Sequence, residues 1–100
     1  MAQLSYQPDS EIDGCPSSET FQSLVATRIG YVPFTESAEL GFEVRILRGS
    51  SGLSGTIEVI QNGETSGTRE LSAAQNECDE LADTLALTLA MIIDPLATSR

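Results

Sequence analysis

Cys15 and Cys78 are the side chains of this sequence with the widest choice of chemistry. They can bond to each other, sit reduced in a core, or act as thiolate nucleophiles. An even count in 100 residues suggests a disulfide, but one widely separated pair is thin support by itself. The other catalytic vocabulary is sparse. The chain has no histidine and no lysine, which removes the commonest general base, the commonest neutral metal ligand, Schiff-base chemistry and the phosphate-loop lysine. Ser17, Ser18, Ser50 and Ser51 therefore have no imidazole to activate them. A glycosidase needs two carboxylates across a cleft, for which a chain this small has little room.

The acids give weak metal patterns. Asp79 and Asp83 lie four apart on one helical face with Glu80 between them, but acids in a first helical turn also suit the helix dipole. Asp9, Glu11 and Asp13 alternate like the first ligands of a calcium loop, yet Gly14 is displaced and no distal glutamate follows at the required spacing. Gly49-Ser50-Ser51-Gly52 joins two strands, unlike a phosphate loop. The sequence thus predicts no enzyme, no cofactor and no metal site.

Fifteen acids against five arginines give a net charge of −10. Such a surface opposes nucleic-acid binding and electrostatic docking on anionic membranes. The apolar run Leu85–Ile93 falls well short of the ~20 residues that cross a bilayer, so no membrane insertion is expected. Residues 1–30 lack the basic and apolar regions of a signal peptide, and the chain reads as one domain taken from a longer protein. Among the cations, Arg69 is expected to pair with Glu58 or Glu70. Alternatively, Arg45, Arg48 and Arg69 would gather on an exposed sheet face as an anion-contacting patch.

These residues need elements to position them. Leu4 and Tyr6 alternate with Ser5 and Gln7 until Pro8, a short strand. Pro16 suits the first helical position, Phe21, Leu24, Val25 and Ile29 form a stripe, and Gly30 is a ready cap. Phe34, in the connector Tyr31-Val32-Pro33-Phe34, is expected to plug one edge of the core. Residues 39–48 alternate strictly, 53–61 continue the pattern, Asn62-Gly63 signals a tight hairpin, and 65–71 completes a three-stranded meander with a poor, edge-like last strand. A final helix follows from an Asn76 cap to Asp94-Pro95, carrying Cys78, Leu81, Ala82, Leu85, Leu89 and Ile92 on one stripe. Ala86, Ala90 and Ile93 widen that stripe until the helix must be buried on more than one side.

The economical assembly is an α+β two-layer sandwich, β-α-β-β-β-α, with an antiparallel meander and both helices on its apolar face. The whole chain, 1–100, is expected to be a single domain with its core in about 12–95 and a tail or linker from 96. In this arrangement each cysteine lies at the start of a helix. Side-by-side helices would make those starts neighbours, and a bridge there would add about 4 kcal/mol by loop entropy. Helix starts also lower thiol pKa, although Glu77, Asp79 and Glu80 crowd Cys78 and oppose that shift. Disulfide, buried thiols and redox-active thiol all remain open on these grounds.

The order Cys-Pro, helix, Gly-Tyr-Val-Pro-Phe, meander, Gly-Thr-Arg-Glu-Leu, Cys-Asp-Glu-Leu, apolar helix, Asp-Pro resembles a domain found in cell-envelope proteins of uncertain function from myxobacteria and related bacteria. The resemblance spans roughly residues 12–95. It rests on Cys15, Pro16, Gly30, Pro33, Phe34, Arg69, Leu71, Cys78, Leu81, Asp94 and Pro95. It implies an extracytoplasmic domain, periplasmic or at the cell surface, in which Cys15 pairs with Cys78 within a longer exported chain, and it implies no activity. The expectation is a non-catalytic protein-interaction or assembly module. Its partner would be another protein or other domains of the parent chain, met through Arg45, Thr68 and Arg69. The alternatives are a cytoplasmic adaptor with reduced cysteines and, without a Cys-x-x-Cys motif, a thiol-redox protein.

Overall fold

The first helix is set by its ends. The Ser17 hydroxyl accepts from the Thr20 amide at 3.2 Å, and Gly30 closes the helix at φ 88° with its N–H on the Ala26 carbonyl. Helix α1 accordingly runs Ser18–Ile29 in the computed structural model, which describes residues 2–36 and 38–98. Pro16 is expected at the first helical position. Ser17 takes over the start instead, because a hydroxyl satisfies an open amide that proline merely lacks.

Four strands form one sheet in the order β1-β2-β3-β4: β1 (Gln3–Pro8), β2 (Leu40–Arg48), β3 (Leu53–Gln61) and β4 (Glu64–Ala73). The β2-β3-β4 meander is antiparallel, as expected. Asn62 and Gly63 turn its second hairpin with φ of 53° and 83°, the positive values that a tight turn requires. Strand β1 pairs with β2 in parallel, Tyr6 opposite Val44, so α1 is the crossover between them and the sheet is mixed. An Ala2–Phe34 bridge extends the start of β1, and Phe34 is half-buried against the core.

Helix α2 (Cys78–Ile93) packs against α1, β3 and β4. Its cap is Glu77 rather than Asn76 and makes no side-chain bond, so the acids Asp79 and Glu80 in the first turn are left to meet the helix dipole. Cys78, Leu81, Ala82, Leu85, Ala86, Leu89 and Ala90 are buried. They close a core with Phe21, Val25, Phe42, Val44, Ile46, Leu53 and Ile57. The helix is thus covered on two sides, by the sheet and by α1. The expectation goes too far at Leu87 and Met91, which stay exposed, and at Ile92 and Ile93, which are only half-buried. The tail expected from Leu96 begins instead as a short helix, α3 (Pro95–Thr98), set against α2 and α1. Its last two residues, 99 and 100, lie outside the described residues. Among the described residues no helix is long and apolar enough to cross a membrane.

Candidate functional site

The helix starts are neighbours, as side-by-side helices allow. Cys15, just ahead of α1, and Cys78, the first residue of α2, form a disulfide with Cα atoms 4.9 Å apart. Cys78 is buried and Cys15 half-buried. The neighbouring Pro16 carbonyl accepts from the Tyr6 hydroxyl at 2.9 Å, and the Tyr6 ring stacks on Phe21 at 4.5 Å between centroids. Burial pushes the Tyr6 phenol up to about 12, because the phenolate would lose its water. At the other end of the molecule the Tyr31 hydroxyl donates to Asp94 at 3.0 Å, which raises its pKa as well. The Tyr6–Phe21 stack has no signature in the sequence beyond the alternation that turns Tyr6 inward.

The acidic turn of α2 is partly engaged. Asp83 accepts from Arg28 at 2.8 Å, tying the last turn of α1 to α2, a pair that sequence spacing could not reveal. Among the described residues, no three acids or cysteines stand close enough to share a metal ion. No polar or charged side chain among them is buried.

The register separates the arginines. Arg45 pairs with Thr56 on the open face and lies 3.6 Å from Glu43. Arg69 pairs with Ile57, a core residue, and partners across a ladder share a face. Arg69 thus stands on the helix side of the sheet, at its exposed margin, and the three-arginine patch does not form. Arg48, opposite buried Leu53, also has the helix-side parity. Neither pairing expected for Arg69 occurs: Glu70 projects to the other face, and Glu58 is opposite Thr68. Instead the Arg69 guanidinium donates to the Thr68 carbonyl at 3.1 Å.

That contact gains meaning from the hydrogen-bond parity of the sheet. The Asn62 amide donates to the Glu39 carbonyl and the Gly49 amide to the Gly52 carbonyl, both in the β2–β3 register. Alternation then turns the backbone groups of Ser54, Thr56 and Glu58 toward β2 and those of Leu53, Gly55 and Ile57 toward β4. Their partners Ala73, Leu71 and Arg69 answer them. Thr68, Glu70 and Ser72 are left facing away from β3, along the free edge of a ten-residue strand. Arg69 occupies one of those open carbonyls. Beside this edge, Leu71, Ala73 and Leu81 floor a depression of about 210 Å³ whose far wall is Glu77, Glu80 and Thr84 of α2.

A second concavity of about 390 Å³ opens at the far end, among Pro33, Leu40, Val59, Ile92 and Ile93, with Tyr31 at its rim. The arrangement as a whole offers hydrogen-bonding edges and shallow apolar seats. Comparison with protein families, with curated proteins and with solved structures gives no match.

Proposed function

We propose that this domain is a non-catalytic, extracytoplasmic protein-interaction or assembly module of a larger envelope protein, and that it takes its partner on the free edge of β4. The observation that carries the reading is the edge itself. A long strand with outward N–H and C=O groups is a template for another strand. Thr68 and Arg69 belong to this edge, and Arg45 stands two strands away on the open face. The Cys15–Cys78 bridge supports an oxidising compartment, since such bonds are rarely kept in the cytosol. The resemblance to cell-envelope domains supports the same location.

The test is site-specific photo-crosslinking in cells of the native host, with the reactive group at Thr68 and, as a control, at Gln7 on the opposite edge strand. A defined envelope protein captured from Thr68 and not from Gln7 is the expected result. No adduct, or equal adducts at both positions, overturns the reading. Thiol trapping in the same cells tests the compartment. Protected cysteines are expected, and freely alkylated ones would move the domain to the cytoplasm as an adaptor with reduced thiols.

A further inference from the structure

Resting on that reading, we infer that the partner of β4 is an extended segment, cationic on one face and apolar on the other, added to the sheet as a fifth strand. Three observations define it. The outward backbone groups of Thr68, Glu70 and Ser72 fix where the main chain must run, because these three share one unbroken register with the parity to bond a new strand. On the helix side, alternate side chains of the added strand would point toward Leu71 and Ala73 and into the depression floored by Leu81. An aliphatic or aromatic side chain there covers apolar surface that β4 and α2 leave open.

Charge selects the rest. The wall of that depression holds Glu77 and Glu80, and on the opposite face the new strand would lie beside Glu70, with Glu58 and Glu43 on the next two strands. Lysine or arginine at the alternate positions that share the open face meets Glu70 and the carboxylates beyond it, and the net charge of −10 steers such a segment inward. A second copy of this chain is disfavoured as the occupant by the same charge, since each copy would bring its own −10 and its own Glu64 and Glu70 to the shared edge. Arg69 also lies at this edge, where its guanidinium donates to the Thr68 carbonyl and leaves that oxygen a second lone pair for a partner N–H.

The experiment uses the oxidised full chain and a short fluorescent peptide of alternating lysine and valine. Glutamate–valine and lysine–serine peptides serve as controls. Fluorescence anisotropy gives affinity, and amide hydrogen exchange reports which backbone groups are engaged. The lysine–valine peptide is expected to bind and to slow exchange at Thr68, Glu70 and Ser72. Glu70→Pro removes one outward N–H and is expected to weaken binding about tenfold. The lysine–serine peptide should be weaker by a similar factor and the glutamate–valine peptide should not bind. Unchanged affinity in Glu70→Pro, equal binding of all three peptides, or a dimer joined through β4 that the peptide does not displace would each overturn the inference. If Glu70→Pro fails to fold, the exchange pattern of the unsubstituted chain decides alone. A protein captured in cells at Thr68, with no binding of the lysine–valine peptide, would leave the interaction edge standing and refute only this partner chemistry.

Discussion

Tyr6 holds β1 to α1 through both ends of its side chain, the ring on Phe21 and the hydroxyl on the Pro16 carbonyl. Because burial raises its pKa from 10.0 to about 12, the unfolded chain releases the phenolic proton first as pH rises. The resulting stability is therefore complete below pH 10 and is lost progressively between pH 10 and about 12. Tyr6→Phe should cost about 1 kcal/mol at neutral pH and should flatten that alkaline decline. Denaturant melts across the alkaline range check this, in a Tyr31→Phe background, since the Asp94 contact also raises the Tyr31 pKa. Gly55 makes a different kind of contact by having no side chain. A Cβ there would lie 2.8 Å from the Leu85 Cδ1 atom, and Leu85 is fully buried. Intrinsic strand preference favours valine over glycine. Overpacking should win nonetheless, so Gly55→Val is expected to destabilise by about 1–3 kcal/mol and Gly55→Ala by less. Urea unfolding of the two variants measures the order.

At the scale of elements, the parity of β4 divides its residues into those that hold the sheet and those that face out. Proline lacks the N–H, so its cost depends on which way that N–H points. Leu71→Pro removes a bond to Gly55 on β3 and should cost about 3 kcal/mol, whereas Glu70→Pro removes only an outward donor and should cost about 1. Circular-dichroism melts of the pair test the register directly, and equal losses would contradict it. Much of this architecture was legible in the sequence, because alternation in 39–48 and 53–61, the Asn62-Gly63 turn and the spacing of the last helix all report local physics. Four features were not. The parallel pairing of β1 depends on a crossover that no local pattern encodes. Ser17 and Glu77 shifted the helix starts by one or two residues, since capping competes among neighbours of similar preference. The face on which Arg69 lies follows from its pairing with Ile57, a register known only once β3 and β4 are aligned. The edge position of the last strand was legible in its poor apolar content, but which of its backbone groups face out was not, as the outward groups of Thr68 and Glu70 belong to the ladder rather than to any residue type.

For the whole molecule, the bridge between Cys15 and Cys78 acts at the one place where both helices begin. It closes a loop across 63 positions and so constrains most of the unfolded chain. By loop entropy the contribution is about 4 kcal/mol, a large part of what a domain of this size holds. Two further ties join the helices or their extensions away from the bridge, Arg28 to Asp83 and Tyr31 to Asp94, but both are exposed and add little. The apolar core is continuous across the helices and the sheet, so the reduced chain retains the contacts that specify the fold. The expected outcome of reduction is thus a native-like domain that melts roughly 15–25 °C lower. The Cys15→Ala/Cys78→Ala double variant should melt close to the reduced protein, because both lose the same constraint. Intact mass before and after reduction, together with calorimetry of the three forms, measures this. If the double variant matched the oxidised protein instead, the core alone would suffice and the bridge would have no stabilising part.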